Sequence, residues 1–279
     1  MRRSLHRPRP APPRRSPSNG RLQAARIVAS IMAVSAIGFG LFTAAIGVLS
    51  PAQASHAFHN AVVAALLLVP SAPPVIAVAR APQRAIRPLV ILAFVGVAAL
   101  ATMALSLTLD PFTLPFVVLV GILWALLPSR AGAYPAGRPS WILLALAAVA
   151  AATLVPYALA QAELQRADQT SEHAMFYHWL EMSFYAMAIP LLGLLSALRP
   201  REYRMAAWCG GVALAVMAAA SLALGEYASA LPTPWAWAAL AGSALFVGLT
   251  EWEARRSRQS HGRAVGDRPL PARSSRANP

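Results

Sequence analysis

Apolar stretches of about 20 residues recur through this chain, and the short connections between them hold almost all of its charge. That pattern constrains the fold more tightly than anything else in the sequence. A helix of about 20 apolar residues crosses the hydrocarbon core of a bilayer. Hydrocarbon offers no partner to a backbone N–H or C=O, so only a helix or a closed barrel can span it. The stretches lack the strict polar/apolar alternation of barrel strands. Eight spans are expected, near residues 25–50, 59–79, 89–108, 112–128, 141–160, 179–198, 205–225 and 235–252. The expected fold is therefore all-α, a polytopic membrane bundle over residues 25–254. Residues 1–24 and 255–279 are too polar to build a core and are expected to form disordered basic tails.

Charge fixes the orientation. The chain is 57% hydrophobic and 12% charged with a mean hydropathy of +0.53, against about 25% charged residues in a soluble domain. Its net charge of +14 would indicate a nucleic-acid partner if it lay on a soluble surface. Here the cations sit in alternate connections, and all of them are arginine. Arg80, Arg84 and Arg87 follow the second span, Arg130 and Arg138 the fourth, and Arg199, Arg201 and Arg204 the sixth, and both tails are arginine-rich. The remaining connections carry Asp110, then Glu163, Asp168 and Glu172 with the lone Arg166, then Glu226. Basic loops stay in the cytoplasm, so the expectation is a plasma-membrane protein with both termini cytoplasmic, lipid as its surroundings and no nucleic acid. The apolar run Ile27–Leu49 exceeds the 7–15 residues of a signal-peptide core and is read as an uncleaved first span.

Several chemistries have no foothold. The single cysteine, Cys209, cannot form an intramolecular disulfide or a multi-cysteine metal site. There is no phosphate-binding glycine loop, GxSxG elbow or HExxH helix, and the chain reads as a non-enzyme.

The histidines are more informative. His6 and His261 lie in the tails, whereas His56, His59, His173 and His178 all fall in or beside two non-basic connections. The second of these reads SEHAMFYHWLEMSF, residues 171–184. His56 and His59 are three apart, and His178, Glu181 and Met182 share one helical face with Tyr185 a turn deeper. Imidazole and thioether suit copper, and paired imidazoles also suit a haem iron. An ionisable group such as Glu181 inside a span is costly unless it has a partner. His59 and His178 are the leading ligands, Met182 a soft third, Glu181 an orienter of an imidazole, and His56 and His173 further donors. In the second span, Pro70, Pro73 and Pro74 are expected to break the helix.

Two segments, PSAPPVIAVARAPQRAIRP (70–88) and HWLEMSF (178–184), resemble the CtaG-like cytochrome c oxidase assembly factors. His178, Glu181 and Phe184 keep most of that family's His-x-x-Glu-His-x-x-Phe helix, with Met182 where the family has its second His; Val63 stands where a histidine one turn after His59 would be. The resemblance implies a factor for respiratory oxidase assembly that handles copper on the outer face, with haem-copper oxidase subunits or copper chaperones as partners. The alternatives are a b-type cytochrome with haem held by His59 and His178, or a transporter or structural membrane subunit.

The arginine asymmetry yields a labelling experiment. In intact cells, a membrane-impermeant thiol reagent should modify a cysteine placed at Gln169 and spare one placed at Gly137. The opposite pattern would invert the orientation.

Overall fold

The computed structural model describes residues 19–50, 55–127, 139–198 and 203–266, with the side chains of 257–266 left aside. The expected tails 1–18 and 267–279, and Arg130, Arg138, Arg199 and Arg201, lie outside these residues. The described chain is helical throughout, without strands. Its helices are α1 (Asn19–Leu49), α2 (Ala57–Leu66), α3 (Ala72–Arg80), α4 (Ile86–Ser106), α5 (Thr113–Leu126), α6 (Trp141–Ala167), the single turn α7 (Glu172–Met175), α8 (His178–Leu198), α9 (Arg204–Ala223) and α10 (Thr233–Gly266). Both α1 and α10 extend into stretches expected as tail.

Six helices have the length and apolar content to cross a membrane: Asn19–Leu49, the continuous segment Ala57–Arg80, Ile86–Ser106, Trp141–Ala167, His178–Leu198 and Arg204–Ala223. Two expected spans fall short of that standard. The turn around Asp110 delays the start of α5, whose 14 residues reach only about 21 Å at 1.5 Å per residue. In α10 the apolar residues are diluted by Pro234, Gly242, Ser243, Gly248 and Thr250.

The prolines of the second span do not break it. Residues Leu67–Ser71 form a π-turn, and α3 continues from it. Pro70 has no N–H for the carbonyl of Leu66, four residues back. The π-turn moves the hydrogen bonding on by one residue, so that Ala72 N–H reaches Leu67 O, and the Ser71 hydroxyl also donates to Leu66 O at 2.9 Å. The carbonyl is satisfied within the helix, which is why no break is needed.

Helix α8 is the hub. It packs on α2, α4, α6, α7 and α9, and its Leu180, Phe184, Tyr185 and Leu192 anchor the main apolar cluster with Phe58 of α2 and Met217 of α9. Tyr185 OH donates to Ala213 O of α9 at 2.6 Å, which spares the buried phenol an unmet bond. A second cluster joins α1, α3, α4 and α5 around Val78, Leu89, Leu92 and Leu123. At the end of the bundle remote from the histidines, Arg204 grips Glu251 through both carboxylate oxygens and Trp208 Nε1–H adds a bond of 3.0 Å to the same group, so α9 and α10 are clipped together.

Close approach of α9 and α10 depends on glycine. Ser243 Oγ donates to Gly211 O at 2.6 Å, and a Cβ on Gly211 would overlap Val247 Cγ2, the rigid arm of a β-branched side chain. Gly211→Ala should cost about 1–3 kcal/mol through overpacking, read as a lowered melting temperature in detergent, and a further Val247→Ala should recover most of the loss. Wild-type melting of the single variant would show that the two helices do not need this contact.

Candidate metal centre

Local sequence brings the two histidine segments together. His56 caps the start of α2 and His59 lies in its first turn, so both imidazoles leave the same end of the helix. Opposite them, Ser171 starts α7 by accepting the Ala174 N–H on its hydroxyl at 3.2 Å. The chain then reverses through Tyr177, whose φ of 60° places a bulky residue in the left-handed region. That conformation costs about 1–3 kcal/mol, and it joins α7 to α8 so abruptly that His173 is turned back toward His178.

The result is a cluster of four imidazoles. His56, His59, His173 and His178 each offer one ring nitrogen, and these four atoms lie within 4.8 Å of one another. Ring centroids are 4.7 Å apart for His56 and His178, 4.8 Å for His59 and His178, 5.0 Å for His56 and His173, and 5.1 Å for His59 and His173. Four nitrogens at 2.0–2.1 Å from a tetrahedral ion would be about 3.4 Å apart, so the cluster would contract by rotamer adjustments on the order of an ångström to grip one.

Hydrogen bonding leaves these rings largely unclaimed. Ser229, in the connection between α9 and α10, donates its hydroxyl proton to Gln161 Oε1 at 3.1 Å. With that proton committed, His59 Nε2–H is the donor in its 3.3 Å contact with Ser229 Oγ, which assigns the tautomer and leaves Nδ1 as a bare lone pair. Tyr157 OH holds the same connection by donating to Ser229 O at 2.7 Å, and Ser221 Oγ accepts the Leu231 N–H at 2.9 Å. Buried ring nitrogens without a hydrogen bond remain at His56 Nδ1 and Nε2, His59 Nδ1 and His178 Nδ1. His56 Nε2 does lie 3.3 Å from Glu172 Oε1, in ion-pair range but out of line for a hydrogen bond.

The surroundings suit neutral imidazoles. His56 and His59 are 2% exposed, and Trp179 stacks on His173 at 4.9 Å with the planes 20° apart. Burial, and then the neighbouring His56, hold His173 below the usual histidine pKa of 6.5, outweighing the opposite pull of Glu172. A neutral ring is the form that binds a metal.

Of the residues expected at the site, the four histidines converge into one group of possible ligands. Glu181 is outside the ligand group, and the acid that acts on it is Asp110 of the α4–α5 connection. Asp110 is itself held by Phe112 N–H at 2.8 Å and by the Thr113 hydroxyl. Met182 is fully buried in the main apolar cluster. Ser229, Gln161 and Gln165, which donates from Nε2 to Ala174 O at 3.0 Å, support the site without having been expected there. Gln161 and Gln165, four apart at the end of an apolar run, were the available signal. An apolar cleft of about 520 Å³ between α6, α8, α9 and α10 contains none of the histidines.

Fold and cluster together define an all-helical chain, with helices long and apolar enough for a membrane, that carries a four-histidine group able to hold a metal ion. Comparison with protein-family models, curated proteins and solved structures finds no match.

Because Ser229 fixes the His59 tautomer, Ser229→Ala should weaken metal binding by about 10–100-fold while the four ligands remain. Equilibrium competition with a chelator measures this, and unchanged affinity would remove Ser229 from the site.

Proposed function

We propose that this protein binds a copper ion through His56, His59, His173 and His178 on the outer face of the plasma membrane and passes it on during assembly of a respiratory haem-copper oxidase. The observation that carries the metal reading is the convergence of four imidazoles, three of which (His56, His59 and His178) carry buried nitrogens with no hydrogen-bond partner. Each such atom costs about 1–3 kcal/mol when left unsatisfied. Hydrophobic packing supplies no reason to gather such atoms, whereas an ion would engage one nitrogen from each ring. Imidazole donors suit copper, zinc, iron and nickel alike. Copper and the oxidase come from the resemblance of residues 70–88 and 178–184 to the CtaG-like factors, and with them the partners, oxidase subunits or copper chaperones.

The arginine distribution supports eight crossings with both termini cytoplasmic. His59 and Arg80 stand at opposite ends of one continuous helix, so a cytoplasmic arginine side puts the histidines outside. Helices α5 and α10 complete the crossings, α5 by thinning the bilayer or leaning on its neighbours. No catalytic step is assigned, because a closed set of imidazoles binds and releases an ion without other chemistry.

A bare ion fits better than haem. The rings of His59 and His178 lie stacked at 13° with centroids 4.8 Å apart. Axial ligation instead points two rings at the iron from opposite faces of a porphyrin, and a stacked pair leaves no space for that plane.

The full-length protein in detergent should bind one Cu(I) per chain, measured by competition with a chromogenic chelator. His59→Ala or His178→Ala should weaken binding by more than about 100-fold, since losing a ligand exceeds the cost of losing an outer-shell partner. Met182→Leu should hold copper as tightly as wild type and melt within about 1.5 kcal/mol of its stability. Wild-type affinity in both histidine variants would sink the reading, and weakened binding in Met182→Leu would return the thioether to the ligand set.

A further inference from the structure

The four-histidine site is walled in on most sides. His59 is backed by Ser229 and Gln161, and the face of His173 is covered by Trp179. His59 and His178 project from helices packed in the core of the bundle, so their backbones cannot swing to let an ion past. An ion leaves such a set stepwise, with another donor taking each position as an imidazole gives it up. That donor has to reach both the ligands and the solvent.

One side chain meets both requirements. Glu172 is 61% exposed, yet its Oε1 lies 3.3 Å from Nε2 of His56, which is 2% exposed. Among the described residues it is the one carboxylate in ion-pair range of the cluster. It opens the four-residue turn α7, which also carries His173 and hangs from the Ser171 cap and the bond from Gln165 Nε2 to Ala174 O. Gln165 supplies the side-chain bond that ties this one-turn helix to α6, and its ring contacts are with α8 and the cluster, so it can shift without disturbing the packed core.

Resting on the metal reading above, we propose that Glu172 is the exchange ligand of the site, the carboxylate that meets an incoming ion, delivers it to His56 and takes it back on release. The alternative is that Glu172 only orients the His56 ring. The two roles differ in kinetics. An exchange ligand lies on the path in both directions, so its loss slows uptake and release together and leaves the dissociation constant unchanged. An orienting partner stabilises the bound state, so its loss speeds release and weakens affinity.

The test uses full-length protein in detergent and Cu(I). Release is followed by stopped-flow mixing of the loaded protein with a chromogenic Cu(I) chelator, uptake by the reverse transfer, and affinity by equilibrium competition. Glu172→Gln should slow both directions by about tenfold or more, the size expected when an anionic attraction at a mouth is lost, with affinity within about twofold of wild type. Glu163→Gln, an exposed acid paired with Arg166, should exchange at the wild-type rate. Unchanged exchange in Glu172→Gln, or faster release with unchanged uptake, would overturn the exchange role. If His59→Ala loses copper while Glu172→Gln exchanges like wild type, the exchange role fails alone. If the wild-type protein binds no Cu(I), both proposals fall.

Discussion

In a hydrocarbon solvent a polar group is satisfied by the protein or not at all, and most of this structure is a response to that rule. Buried hydroxyls bond back to their own helices, as Thr102 does to Ala98 O, Ser221 to Met217 O and Thr250 to Phe246 O. At the π-turn the Ser71 hydroxyl bonds to Leu66 O. Tyr185 and Ser243 spend their protons across helix interfaces. Against that background the histidine cluster concentrates the exceptions, with four bare ring nitrogens on His56, His59 and His178, against four other unmet groups on Asn60, Gln165, Ser183 and Ser196 among the described residues.

The hub position of α8 links packing to chemistry. The helix that carries His178 at its end also buries Leu180, Phe184, Tyr185 and Leu192 in the main cluster, so the ring is presented by a rigid element rather than by a loop. His59 has a similar footing, since Phe58 and Val62 of the same helix lie in that cluster. His173 differs, riding on one turn of helix beyond a strained Tyr177. Anchored His59 and His178, with His56 at the head of α2 and His173 on a hinged turn, make a cluster that is organised in advance and can still be opened.

How much of this was legible in the sequence varies with the range of the interaction involved. Hydropathy located the apolar part of each long helix, because it is a local property of composition. It did not locate the ends of α1, α6 and α10, which run on by six or more residues, and six rather than eight helices among the described residues reach spanning length and apolarity. The ligand residue type and the shared side of His56, His59, His173 and His178 were also readable, from their placement relative to the arginines. Their convergence was not, since it depends on the reversal at Tyr177, and a left-handed tyrosine leaves no mark in a sequence. Spacing put Glu181 and Met182 on the face of His178, but one turn of an α-helix rises 5.4 Å. That rise separates a donor at the mouth from a side chain packed beneath it. Prolines in the second span announced a disturbance, and the structure resolves it as a π-turn rather than a break. Ser229 reaches His59 across 170 positions in the chain, a pairing that periodicity cannot reveal.

The hinged donor has a consequence for neighbours of the protein. An ion shared by His173 and the core-anchored His59 and His178 would act as a strut between α7 and the bundle, added to the Gln165 bond and the ring contacts that hold the turn without it. Loading would then be visible from outside as a difference in stiffness around Met175 and Phe176, both well exposed on the adjoining surface. If the cluster holds an ion, a protein docking there would distinguish the filled state from the empty one by touch, without ever contacting the ion.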